Sequence, residues 1–441
     1  MSLRILLASD YYPPYIGGAH RQTQLLAHEL QRRGHEVSVV TAWHGGQPAE
    51  ELEDSVRVFR LKQLRTCLPG QVKDRKQRHQ PPFPDPITVF GLRRLIKRLQ
   101  PDVIHAYGWF SYSIAVALLG LNVPLLISGR DYGYTCATRT LVYKGDHLCA
   151  GPALTKCPGC AVDLYGTPKG WAATLGVMMG RSLLRRKVHG IHSISTYVQE
   201  IFRRDFLDQR PPDRIPGNKI IIEAIIPSFR EDDLNRCYGE DPRIQSYVER
   251  LPSGQFMLYV GALRRIKGVD QLLAAYTRLA SPPPLVLIGT VEHDSPREYP
   301  PGVSVLQNFP HDAVMAAWER CLFGVTPSLL PEPLGSVVYE GMSRGKAVIG
   351  TRPGGHTDMI VDGETGLLVP SGDVDRLAEA MTKLIDQAEL RERLGLVAKE
   401  RAKQFTAGIA VPQFEVFYQR VIHHSAGHAA QDTDAGVLHR A

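Results

Sequence analysis

The sequence predicts an α/β protein built on two doubly wound parallel sheets, and three observations predict it. Short apolar runs alternate with amphipathic stretches through the first half of the chain, and the alternation restarts near Phe256 after a polar interval. The 441 residues are enough for two separate cores. With 43% hydrophobic and 22% charged residues, the composition is that of a soluble globular protein, not a disordered or fibrous one.

Taken in order, Arg4 to Ala8 reads as the first strand and Thr23 to Arg33 as a helix closed by Gly34. The loop between them, DYYPPYIGGAH, ends in Gly17-Gly18. Ligands of such sheets bind beyond the carboxyl ends of the strands, so this loop is expected at a binding site, although paired glycines also suit a plain turn. Strands follow at Val37 to Thr41, Val56 to Leu61, Val103 to His105 (after a helix Val89 to Leu99), Pro124 to Ser128 and Gly190 to Ile194. His105 and His20, near strand ends, read as structural histidines. The segments RRDFLDQRPPDRIPGNK and SFREDDLNRCYGEDPR are polar and rich in Pro or Gly, which places a boundary near Pro227.

The second set has strands at Phe256 to Val260, Leu285 to Ile288, Val303 to Leu306 and Leu322 to Val325, with a helix from Val269 to Leu279. The stretch Thr326 to Pro353 reads as a strand end, a Pro-rich loop, a helix and a further strand, Ala347 to Gly350. Glu332 falls in the loop and Glu340 in the helix, with Gly335-Ser336 as the expected cap. Free amides at a helix start attract phosphate. A carboxylate on either side of that positive end suits a ligand with hydroxyls at two ends and phosphates between, the shape of a nucleotide-sugar. A helix Pro412 to Val421 follows the second set, and the small polar residues from Ser425 predict disorder.

The formal net charge is +7, and between Arg60 and Arg98 eleven Lys or Arg stand against two acids, Asp74 and Asp85. A second cluster, Arg181, Arg185, Arg186 and Lys187, ends an apolar stretch holding Trp171, Leu175, Met178 and Met179. Such clusters are either solvated basic faces or contacts for an anionic membrane or phosphorylated lipid acceptor. No stacking platform or groove-reading motif accompanies them, which argues against nucleic acid. The N-terminal apolar run is ended by Asp10, too soon for a secretory signal, and Asn122 and Pro124 break the longest apolar stretch. A cytoplasmic location is expected, with peripheral contact at the inner face of a membrane if the clusters bind lipid. Four of the seven cysteines, Cys136, Cys149, Cys157 and Cys160, fall close together, and ATRTLVYKGDHL between them can form a hairpin that pairs them. Structural zinc, free thiols, and a redox or iron–sulfur role are the three readings.

Glu332 and Glu340 with seven residues between them, followed by Gly354-Gly355 and TGLLVPSGD, resemble the donor site of retaining glycosyltransferases of family 4. The resemblance implies the GT-B fold, two Rossmann-like domains facing across a cleft. Residues 1–226 would be the acceptor-binding domain with a cysteine insert at 130–165, and 227–410 the nucleotide-sugar-binding domain. Residues 411–424 would cross back, and 425–441 form a tail. The implied reaction is retaining transfer of a hexose-type sugar from a nucleotide-sugar to an acceptor hydroxyl, in polysaccharide, glycolipid or other glycoconjugate biosynthesis. No cofactor is needed for that transfer, and Asp373-Val374-Asp375 reads as a helix cap, not a metal motif. The alternatives are a non-catalytic nucleotide-sugar-binding protein or another GT-B enzyme, such as an epimerase.

Residue by residue, the resemblance assigns Glu332 to sugar hydroxyls and Glu340 to ribose hydroxyls. Lys267 and the amides of Leu334, Gly335 and Ser336 take the departing diphosphate, over which Gly17 and Gly18 let the backbone close. Where the family has an Arg, this chain has Ala262, so Arg264 or Arg265 is the expected substitute. In ISGRDYGY, Arg130 stands where the family has His, and it is expected to meet an anionic acceptor or a phosphate.

Overall fold

The apolar runs become two parallel sheets, one in each of two units. The computed structural model describes residues 2–13, 18–44, 46–67, 80–207, 220–230, 234 and 236–437. Unit 1 comprises Met1–Thr140, Gly151–Phe229 and Ala410–Ala441, and unit 2 comprises Leu141–Ala150 and Arg230–Ile409. The change of unit at Phe229 lies close to the expected boundary at Pro227. The helix Ala407–Val437 runs on through Ser425, where composition predicts disorder.

Unit 1 carries β1 (Arg4–Ser9), β2 (Glu36–Ala42), β3 (Glu50–Glu53), β4 (Val56–Leu61), β5 (Val103–Tyr107) and β6 (Leu125–Gly129). A small hairpin, β7 (Val142–Tyr143) with β8 (His147–Leu148), comes next and groups with unit 2. It is the turn expected between the cysteine pairs. β9 (Val188–Ser193) and β10 (Ile222–Ile225) complete the first sheet, in the order β10-β9-β6-β5-β1-β2-β4-β3. Every pairing in it is parallel except β3 with β4. Strands β1, β5 and β6 are buried nearly throughout, which is why their residues are almost continuously apolar. β3, Glu-Glu-Leu-Glu, has no apolar pattern to announce it. It is an acidic edge that accepts Arg60 at Glu51 (2.5 Å) and Arg98 at Glu50 (3.4 Å). The helix expected from Val89 starts at Pro86, because Asp85 caps it through the Thr88 amide and Pro fits the first turn.

Where β5, β6 and β9 lie side by side, a polar chain runs through the core. The His192 Nε2–H donates to the Ile226 carbonyl at 2.7 Å, which leaves Nδ1 to accept from the Ser128 hydroxyl at 2.6 Å. The His105 Nε2–H donates to Ser128 at 2.7 Å, and the Tyr418 hydroxyl donates to His105 Nδ1 at 2.8 Å. Burial holds His192 down to about 3 and His105 well below its ordinary value, so both rings are neutral. His105 is thus a satisfied structural histidine, as expected.

Unit 2 holds β11 (Met257–Val260), β12 (Leu285–Ile288), β13 (Val303–Leu306), β14 (Gly324–Thr326), β15 (Val348–Arg352) and β16 (Leu367–Pro370). Their order is β13-β12-β11-β14-β15-β16, all parallel. The core packs one face of these strands against the helices Val269–Tyr276 and Val374–Asp386. Asp373 caps the latter through the Arg376 amide at 2.9 Å, the role expected of it. Among the described residues no helix is long and apolar enough to cross a membrane.

Candidate functional site

The site is built at the carboxyl ends of β11 and β14, where a doubly wound sheet presents its loops. After β11 the chain makes a 3-10 turn, Arg265–Lys267, and enters the helix Val269–Tyr276. After β14 it runs through Pro327 to Gly335 and into the helix Ser336–Ser343. These two loops bring Lys267 and Glu332 together: Nζ donates to Oε1 at 2.6 Å. The Ser328 hydroxyl donates to the same oxygen at 2.5 Å. Ser328 is held in turn, since its carbonyl accepts from Thr351 at 2.9 Å and Ser371 at 3.0 Å. Burial works to raise the Glu332 carboxyl. The charge of Lys267, the nearby His356 ring and the bonds from Lys267 and Ser328 outweigh it, and hold the group below the usual carboxylate range.

Gly354 and Gly355 allow the turn after β15 to press against this loop. A Cβ on Gly355 would lie 2.3 Å from the Pro333 carbonyl oxygen, and the Gly355 amide donates to the Glu332 carbonyl at 2.6 Å. The helix Ser336–Ser343 is capped by Gly335, with φ at +93°, and not by a side chain. Ser336 is its first residue, so the hydroxyl expected as a cap is not used as one. The start of the helix, which follows the loop holding Glu332, thus has no side-chain cap for its first amides. One turn into the helix, Glu340 is 6% exposed, with Oε1 3.4 Å from Arg230 Nη2 and 3.9 Å from His311 Nδ1. A carboxylate, a cation and a row of amides thus share one small region, which suits a ligand bearing hydroxyls next to a diphosphate.

The other expected residues each have surroundings of their own. Arg264 is not free for a phosphate, because its Nε donates to Asp294 at 3.1 and 3.3 Å. Arg265 is exposed. Arg130 belongs to unit 1, where its guanidinium lies 4.4 Å over the Tyr107 ring, and burial draws its pKa down. Gly17 lies outside the described residues, and Gly18 begins the helix Gly18–Arg32. Cys136, Cys149, Cys157 and Cys160 are all described, and among the described residues no three His, Cys, Asp or Glu side chains are grouped to hold an ion. Cys157 begins the helix Cys157–Tyr165, and its sulfur accepts from the Ala153 amide at 3.2 Å, while Cys136 Sγ lies 3.2 Å from Thr138 Oγ1. Sequence reasoning passed over His356, although it directly follows Gly354-Gly355. Its signal was a titratable residue in a turn otherwise made of small groups.

Some members of the basic clusters are held by the fold, while Lys62, Arg94, Lys97 and Arg186 are exposed. Arg60 is buried against Glu51, and Arg93 donates to the carbonyls of Ala117 (2.9 Å) and Leu119 (2.6 Å). Arg181 and Arg185 turn inward to the carbonyls of Asp205 and Phe206. Much of 60–98 (68–79) lies outside the described residues.

Two family models match the chain, Glycosyl transferase 4-like domain over residues 17–217 and Glycosyl transferases group 1 over residues 247–401. The D-inositol 3-phosphate glycosyltransferase of Corynebacterium diphtheriae is 24% identical, with 95% of each chain covered. The glycogen synthase of Mycobacterium tuberculosis is also 24% identical, with 90% of each covered. Among solved structures, sucrose-phosphate synthase from Thermosynechococcus elongatus superposes with a TM-score of 0.70 at 18% identity, covering 95% of this chain and 99% of its own. Anabaena HepE in complex with UDP gives a TM-score of 0.63 at 17% identity, with 95% and 100% covered. At those identities the structures establish the GT-B fold.

Proposed function

Since the chain is a glycosyltransferase of the family-4 type, we propose that it moves a hexose-type sugar from a nucleotide-sugar to an acceptor hydroxyl with retention of anomeric configuration. The observation that carries this reading is the Lys267–Glu332 pair, 2.6 Å apart beside a helix start that no side chain caps. As the bond between sugar and diphosphate breaks, negative charge grows on the leaving phosphate and positive charge on the sugar ring. Lys267 and the amides of Leu334, Gly335 and Ser336 meet the first. Glu332, kept ionised, holds the sugar hydroxyls and faces the second. Glu340 takes the ribose hydroxyls, on the helix that receives the phosphates.

For the acceptor, an exposed stripe on the helix Thr167–Lys187 supports a glycolipid or lipid-linked glycan at an anionic membrane surface. Trp171, Leu175 and Met179 follow one another a turn apart at 48%, 44% and 73% exposure. Lys169 stands at one end of the stripe, and Arg186 and Lys187 at the other. Gly176 packs on Pro82, whose neighbour Phe83 is half-exposed. The test of the reaction is to incubate the enzyme with UDP-, GDP- and ADP-sugars and measure nucleotide release with and without a lipid extract as acceptor. Acceptor-dependent release with one donor, and an α-linked product from an α-linked donor, are expected. No release with any donor, or an inverted product, would refute the reading.

A further inference from the structure

His356 is a buried titratable residue to which the chemistry above gives no task. Only 2% of it is exposed, and it opens the short helical turn His356–Met359 after the two glycines. The Thr351 amide donates to its Nδ1 at 3.2 Å. That bond fixes the tautomer: an Nδ1 that accepts carries no hydrogen, so the hydrogen of the neutral ring is on Nε2. Burial draws the ring's pKa down, opposed by Glu332 and assisted by Lys267, which keeps it neutral. Protonation would also set a hydrogen on Nδ1 against the Thr351 N–H.

The Nε2–H has no hydrogen-bond partner among the described residues. A Cβ on Gly335 would lie 2.6 Å from both Cδ2 and Nε2 of His356, so this edge of the ring occupies the place where a side chain at 335 would stand. Gly335 is the cap of the helix Ser336–Ser343, so the spare donor is aimed at the helix start. Lys267 is close enough to act on both Glu332 and His356. An N–H without a protein partner on an otherwise buried ring is open to a ligand, and an anionic acceptor gives it a charge-assisted hydrogen bond.

We propose that His356 is a donor-binding residue, whose Nε2–H hydrogen-bonds a diphosphate oxygen of the nucleotide seated at the start of the helix Ser336–Ser343. The proposal rests on the nucleotide-sugar reading above. As a neutral donor beside Lys267, His356 adds direction without adding a second charge, and it marks the diphosphate and not the base or the ribose.

Calorimetry on the full chain with UDP, GDP and ADP, and with the matching nucleosides, tests it. His356→Asn keeps an acceptor for the Thr351 amide but withdraws the donor at the Nε2 position, whereas His356→Gln puts an N–H there. The nucleoside diphosphate that binds the unaltered protein is expected to bind H356N roughly tenfold more weakly and H356Q within about threefold, with nucleoside affinity unchanged in both. Equal diphosphate affinity in H356N, or an equal loss for nucleoside and diphosphate, would overturn the proposal, the second outcome meaning that His356 only shapes the loop. Should H356N not fold, ¹⁵N-histidine spectra of the unaltered protein decide. The His356 Nε2–H signal should move with the diphosphate and not with the nucleoside, and a signal indifferent to both would overturn the assignment. If the unaltered protein binds none of the three diphosphates, the nucleotide-sugar reading falls first and takes this one with it.

Discussion

A single ion pair, Lys267 with Glu332, joins the two loops of the proposed donor site. Replacing Lys267 with Met removes a charge-assisted donor, which should cost roughly 1.5–3 kcal/mol of diphosphate binding, or about a 10- to 150-fold weaker Kd. Calorimetry on the folded variant checks it, and an unchanged Kd would confine Lys267 to supporting Glu332. A second residue-scale consequence comes from Asp10, at the end of β1. Its buried carboxylate accepts from the amides of Trp109 (3.2 Å) and Phe110 (2.7 Å), at the start of the helix Phe110–Ala117. Burial, opposed by Arg139 and those two amides, still raises the carboxyl from 3.8 to about 6. In this case the folded state holds the proton more tightly than the unfolded one. The contribution is therefore fully present below about pH 4 and is lost as pH rises to about 6. The stability of the native chain relative to Asp10→Asn should fall by roughly 3 kcal/mol across that interval. Urea denaturation of both proteins at pH 4, 5, 6 and 7 measures the difference, which cancels the titration of other groups.

The helix Thr167–Lys187 is the element whose face demands an explanation. Its inner face is Gly170, Ala173, Thr174, Val177 and Leu184, while its outer face is the Trp171–Leu175–Met179 stripe. Changing Leu175 and Met179 together to Ser should reduce sedimentation with phosphatidylserine vesicles by about tenfold. At roughly 0.8 kcal/mol per buried CH₂, two such side chains easily account for that much. Arg186→Glu with Lys187→Glu should weaken the salt-sensitive part, and Arg181 and Arg185 are poor targets because they hold the carbonyls of Asp205 and Phe206. Equal sedimentation of the native protein with neutral and anionic vesicles would make the stripe an ordinary surface. Elements of this kind show what the sequence conveys. Continuous apolar runs revealed β1, β5, β6 and β11, and Glu332 and Glu340 stood out by their spacing. β3 was hidden because an acidic edge strand has no period of burial to display. His356 was hidden because its role depends on Gly335 and Thr351, twenty-one and five residues away, brought together only by the fold. The inward turn of Arg181 and Arg185 was equally invisible, since a cationic residue reads the same whether it meets water or a carbonyl.

At the scale of the whole molecule, two sheets with separate cores predict two unfolding transitions rather than one. The residues proposed to hold the nucleotide's phosphates and ribose all belong to unit 2. Saturating nucleoside diphosphate should therefore raise one calorimetric transition, by about 2.7 kcal/mol at a hundred times Kd, and leave the other nearly still. A single transition that moves as a whole would mean that the units unfold together. The grouping of Ala410–Ala441 with unit 1 has one more consequence, for synthesis on the ribosome. The Tyr418 hydroxyl that completes the His105–Ser128–His192 chain is made some two hundred residues after the sheet it serves. At about 5–20 residues per second, that is a wait of roughly 10–40 seconds. Throughout it, unit 1 has all its strands and lacks its last helix, while unit 2 has time to fold. The part of the chain translated first is the part finished last, and it is there that a nascent chain needs a chaperone's protection.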